Sequence, residues 1–236
     1  MRYRSALLAA VVASTGLPFL ASAQSSPPQL SGVLKQMDTA SKTFKDARAD
    51  FHCDYYERVV RDTTTQTGPI YFLRDKGATQ MGLVVDGAKG TPEKVVQYKD
   101  GTLQMFDPGV DQITVLHAGA DQSQYEGYFT LGFGGSGSDL NHAWNITDLG
   151  PDALVDNGHP VKTEKLDLVS KDPGAKTFTH ITIWVDPARA LSLRQIFFLP
   201  NNDKRTCNYS NVKLNERLDL KTFEIKKNSH TTVVNR

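Results

Sequence analysis

The sequence has little cysteine and no surplus of charge of one sign. Cys53 and Cys207 are its two cysteines in 236 residues. That is too few for a cysteine-ligated zinc site or for a small fold held by many disulfides. Lys and Arg number 27 against 26 Asp and Glu, a formal net charge of +1. There is no basic excess to attract nucleic acid and no long run of one charge. His52, His117, His142, His159, His180 and His230 stand at no metal-like spacing. On a strand His52 and Asp54 would share a face that Cys53 does not, and two ligands on a face are too few for zinc. The carboxylates are dispersed, with no pair that the sequence brings together. No metal, no cofactor and no catalytic constellation is expected, and nothing argues for an enzyme.

Long apolar runs are also missing after the first residues. The chain begins MRYRSALLAAVVASTGLPFLASAQ, with Arg2 and Arg4 ahead of an apolar run and Ala21-Ser22-Ala23 after it. This reads as a cleaved secretory signal over residues 1–23, too short in its apolar part to span a bilayer. Losing Arg2 and Arg4 with it takes the formal charge from +1 to −1. Residues 24–236 are then expected to form one exported, periplasmic domain. An oxidising compartment would join Cys53 to Cys207 if their Cα atoms lie within about 7 Å. The alternative is two separate buried thiols, and the residues alone leave both open.

The first periodic segment has a helical repeat. Leu30, Val33, Leu34, Met37, Ala40, Phe44 and Ala47 recur at three and four, which predicts an amphipathic helix over about 30 to 45. Afterwards the period is two. Short segments rich in Val, Ile, Tyr and Phe alternate with turns such as Lys99-Asp100-Gly101 and Asp107-Pro108-Gly109. The gaps are too short for parallel crossovers, so an antiparallel meander is expected. It breaks at residues 117–142, where Asp121 and Ser136 or Ser138 are candidate helix caps, and then resumes. A last short strand is placed around Phe223-Glu224-Ile225.

Gly132-Phe133-Gly134-Gly135-Ser136-Gly137 fits the G-x-G-x-x-G pattern of dinucleotide sites. That pattern binds a pyrophosphate only where a strand feeds a helix in a βαβ unit, and none surrounds it here. The segment reads as a glycine-rich mobile loop. A G-x-S-x-G elbow fails too, since Ser138 stands two residues after Ser136. What remains is apolar surface. Several strands carry apolar residues on both parities, as in Ile70-Tyr71-Phe72-Leu73 and Leu191 to Leu199. Either the outer face is partly covered, or a curved sheet leaves an apolar cavity under helices.

The order of elements resembles one family. An export signal precedes an amphipathic helix that ends in Ala49-Asp50-Phe51. Gly68-Pro69-Ile70-Tyr71-Phe72-Leu73-Arg74 follows, then Val96-Gln97-Tyr98-Lys99-Asp100-Gly101-Thr102-Leu103-Gln104-Met105-Phe106-Asp107-Pro108, and late in the chain Phe223-x-Ile225. Over residues 30–226 this is similar to the LolA family of periplasmic lipoprotein carriers. The resemblance implies a mainly β fold, an incomplete antiparallel β-barrel with an N-terminal helix and a central helical lid insertion. Its apolar cavity would hold acyl chains of outer-membrane lipoproteins, shuttled as a monomer from an inner-membrane release complex to an outer-membrane receptor. The alternative is a module of the same fold that carries free lipid or senses lipoproteins. On this reading Ile70, Phe72, Arg74, Met81, Leu83, Leu103, Met105, Ile181, Ile183, Leu193 and Phe197 line the cavity. Arg74 falls at the family's basic position and would latch the lid by hydrogen bonds to its backbone. The glycines of 132–137 would give that lid a hinge.

Overall fold

A computed structural model describes residues 30–75, 78–117, 131–219, 221 and 224–236. The expected signal segment, the cap at Asp121 and Phe223 lie outside these residues.

The first helix, α1, spans Leu30–Ser41 and buries Val33 and Met37, one turn apart on its apolar stripe. It stops short of the expected residue 45. Thr43 and Phe44 donate backbone bonds to Ala40 and Ser41 in a closing turn, and the chain is already extended at Asp46. Phe44 and Ala47 are therefore buried from outside the helix, not along its stripe.

Strands follow: β1 (Asp46–Glu57), β2 (Asp62–Asp75), β3 (Ala78–Asp86), β4 (Pro92–Lys99), β5 (Thr102–Asp107) and β6 (Gln112–His117). A short helix, α2 (Gly137–Ala143), leads into β7 (Trp144–Asp156), β8 (His159–Ser170), β9 (His180–Asp186), β10 (Leu191–Phe198), β11 (Lys204–Leu214) and β12 (Thr232–Asn235). Asp100 and Gly101 both have positive φ, the geometry that a two-residue hairpin matched to strand twist requires.

The described strands form one sheet in the order β12-β6-β5-β4-β3-β2-β1-β11-β10-β9-β8-β7. This is the expected curved, unclosed antiparallel meander, with β1 against β11 joining its two runs. The end of the chain differs from expectation. Glu224 and Ile225 are not in a strand, and the last strand, β12, pairs parallel with β6 as an added edge.

Cys53 and Cys207 face each other across β1 and β11, 4.1 Å apart at Cα, and form a disulfide. It links residues 154 positions apart, which in the chain-entropy model stabilises the fold by about 5 kcal/mol. Asp156, at the end of β7, accepts hydrogen bonds from Arg189 Nη1 at 2.9 Å and from the Val212 amide at 3.3 Å. Arg189 also donates to Asp186 at 2.6 Å, so the edge strand is tied back to β11.

Strand register places one parity on the inner face. Ala47, Ala49 and Phe51 of β1 share it with Ile70 and Phe72 of β2, Met81 and Leu83 of β3, and Ile181 and Ile183 of β9. Two cores form on this face. One lies over β1 to β4 and β10 to β11, with Phe72, Tyr98, Phe133 and Tyr209. The other lies where Val33 and Met37 of α1 and Leu140 of α2 cover Leu166, Leu168, Ile181 and Ile183.

Candidate functional site

A cavity of about 500 Å³ opens on the inner face between β1 to β5 and β10 to β11. This is an ordinary size for a small-molecule site. The inward side chains of β2 run Thr64, Gln66, Ile70 and Phe72 along its length. Met81, Leu83 and Val85 of β3, Val96 of β4 and Met105 of β5 form one wall. Phe197, Tyr209 and Gln195 form the other.

Six of the residues expected to line a cavity do so: Ile70, Phe72, Met81, Leu83, Met105 and Phe197. The other five are elsewhere. Ile181 and Ile183 have the inward parity but are sealed under α1 and α2 with no exposure. Leu193 is packed in the first core at 2% exposure, and Leu103 packs against that core's edge. Arg74 stands beyond the cavity's end.

The buried polar groups of the wall are satisfied. Tyr209 donates to Gln195 Oε1 at 3.0 Å, and Gln195 Nε2 donates to the Leu131 carbonyl at 2.5 Å. Burial pushes the Tyr209 phenol up to about 12, so it stays a neutral donor.

The cavity's apolar end is closed by a residue that strand periodicity could not reveal. Phe133 is 1% exposed, stacks on Phe72 with ring centroids 3.9 Å apart, and meets Tyr209 edge-on at 4.9 Å. It sits in the glycine-rich segment, which backbone hydrogen bonds tie to the start of β10. The Ser192 amide donates to the Gly132 carbonyl at 2.6 Å, and the Gly134 amide donates to Ala190 at 2.9 Å. Gly132 and Gly134 have φ near +75°: +76° and +73°. A Cβ on Gly132 would lie 2.3 Å from Ser192 Cβ, and one on Gly134 would lie 2.3 Å from the Phe44 ring. The glycines serve close packing and left-handed backbone. These contacts pin the plug at residues 132–134. A phenylalanine flanked by glycines next to an apolar sheet was the available signal.

Arg74 joins the pieces. Its Nη1 donates to the Ser41 carbonyl at 2.7 Å and its Nη2 to the Gly134 carbonyl at 2.5 Å. The guanidinium also lies over the Phe44 ring, 5.3 Å from its centroid. One side chain thus adds a charged donor to the Ser41 carbonyl at the end of α1, which also accepts from the Phe44 amide, and holds the plug segment to β2.

No family model matches the chain, and no curated protein matches it. Solved structures do match. An uncharacterized conserved protein from Thermus thermophilus is 10% identical, with a TM-score of 0.53 over 87% of this chain and 98% of that one. MucB is 13% identical, with a TM-score of 0.51 over 87% of this chain and 65% of MucB. The fold is shared with MucB. MucB has been solved in complex with MucA. A LolA superfamily protein from Nitrosomonas europaea is 12% identical, with a TM-score of 0.40 over 85% of this chain and 98% of that one. At these identities the likeness concerns the fold alone.

Proposed function

We propose that this protein is a periplasmic carrier that shelters acyl chains, those of outer-membrane lipoproteins or of a lipid, in its inner-face cavity. The observation that carries the reading is the cavity itself. Leu83, Val96 and Met105 of three neighbouring strands stay partly uncovered along it, whereas Leu166, Leu168, Ile181 and Ile183 on the same face have no exposure. An acyl chain in water costs about 0.8 kcal/mol per methylene, so crossing an aqueous space requires such shelter. The signal-like residues 1–23 and the disulfide support an oxidising, exported location. Residues 24–236 act as one carrier domain, loaded at an inner-membrane complex and unloaded at an outer-membrane receptor, without chemistry of its own. Arg74 is the latch: its bonds to Ser41 and Gly134 hold the plug segment against β2 and would have to break for that segment to move.

Mass spectrometry of protein purified natively from the periplasm tests this. Co-purifying acylated species are expected. Protein that carries nothing apolar and binds no apolar probe would contradict it.

A further inference from the structure

The cavity is polar at one end. Opposite Phe72 and Met81, about eight residues or roughly 25 Å along β2, its lining becomes Thr64, Glu57 and Arg205. Register puts Thr64, Tyr55 and Arg205 in one row across β2, β1 and β11. Arg205 is half-buried. Its guanidinium lies 4.7 Å from the Tyr55 ring centroid and 5.9 Å from that of Phe197. Its Nε reaches Cys207 Sγ at 3.2 Å, and its Nη2 lies 3.8 Å from Cys53 Sγ, both weak acceptors. Lys94, on β4, lines the same cavity. Among the described residues, no carboxylate lies within 4.0 Å of either cation. Glu57 is the single acid among the described lining residues, against these two cations, and it is exposed.

A guanidinium held against two aromatic rings and a disulfide is stripped of much of its water, and sulfur returns little of that cost. Its planar fork is suited to a carboxylate or phosphate, and such bonds are about twice as strong as neutral ones. We infer that the cavity binds an amphiphile with a compact anionic head, a carboxylate or a phosphate, whose charge pairs with Arg205 while its tail runs along β2 toward Phe133. This rests on the carrier reading and narrows its cargo to a free anionic lipid. The acylated terminus of a lipoprotein, an amide with thioether-linked esters, offers Arg205 no charge.

The test uses dodecanoate, dodecyl phosphate and the uncharged dodecan-1-ol, each titrated calorimetrically into the intact protein at pH 8, with inorganic phosphate as a tail-less control. Both anions are expected to bind at least about tenfold tighter than the alcohol. Inorganic phosphate should bind far more weakly than dodecyl phosphate. The ratio of dodecanoate to dodecan-1-ol affinity should fall to near one in Arg205→Gln, with unchanged circular dichroism certifying the fold. A Lys94→Gln variant should lower the ratio less. A stronger response to dodecyl phosphate than to dodecanoate identifies a phosphate head, and the reverse identifies a carboxylate. Equal binding of anion and alcohol by the unaltered protein would overturn this inference and leave the carrier reading standing. Binding of none of the three amphiphiles would overturn both.

Discussion

On β9, Ile181 and Ile183 have no exposure at all, whereas Leu83, Val96 and Met105 hold equivalent inward positions on β3, β4 and β5 and are only partly covered. The strands are alike in composition. What differs is the cover. Val33 and Met37 of α1, Leu140 of α2 and Trp144 pack over Leu166, Leu168, Ile181 and Ile183 and leave them no exposure, while a second cavity of about 580 Å³ lies at the β7–β8 edge of this half, beside Glu164. Over the β1 to β5 half, the described residues supply Phe133 and Leu131 at one end and leave a cavity beyond them. Apolar parity therefore makes a surface that can be buried, and the helices decide which part of it is left for a ligand.

Phe133→Ala removes the plug at the boundary of the two halves, and the largest effect is expected here. Losing a buried aromatic typically costs about 3–5 kcal/mol. The melting temperature should fall while an apolar fluorescent probe gains room in the cavity. Loss of stability with no change in probe binding would place Phe133 in the core alone.

Truncations on either side should separate next. Ile183→Ala in the sealed half should cost about 2–5 kcal/mol in urea unfolding and leave probe affinity unaltered. Leu83→Ala in the open half should cost nearer 1 kcal/mol, the average for a point change, yet weaken the probe. Similar costs with similar binding would erase the distinction.

The sealed half also holds an acid. Glu164 is 4% exposed, and its carboxyl is pushed up to about 7 from near 4.5 by burial, then by a hydrogen bond with Asp148 and that group's charge. The folded state thus binds more protons than the unfolded one between these values. Stability should be greatest below pH 4.5 from this group, fall by about 1–3 kcal/mol as pH rises to 7, and level off above. Glu164→Gln should flatten that slope in melts from pH 4.5 to 8. An unchanged slope would move its origin elsewhere.

A change at the latch tests how the plug is held. Arg74→Leu removes two bonds to carbonyls and should weaken closure by about 1–3 kcal/mol. Amide exchange at residues 131–136 should quicken and probe binding rise. Unaltered exchange there would make Arg74 a helix cap only.

Much of this comparison was legible in the residues. Period-two alternation marks Ile70 and Phe72, Met81 and Leu83, and Ile181 and Ile183 as one face, because each strand carries its own parity. It cannot say that α1, some 150 residues from β9, covers only one part of that face. Phe133 belongs to no repeating element, so periodicity is blind to it, and Gly132 and Gly134 suggested freedom where contacts with Ser192 and Phe44 impose a fit. Arg205 left a readable sign, since it alternates with Cys207 and Tyr209 on an otherwise inward parity. The pairing of β12 with β6 had none, because the segment before it carries no turn signal that names its partner.

The most direct test of an open and a sealed half uses the two native tryptophans. Trp144 belongs to the sealed core and Trp184 lies on the outward parity of β9, so neither borders the cavity. Met105→Trp places a third indole in the cavity wall. Titration with a fatty acid brominated along its tail should quench fluorescence in the Met105→Trp variant and leave the unaltered protein's emission unchanged. Quenching of the native tryptophans, or none in the variant under conditions where calorimetry shows binding, would contradict the account.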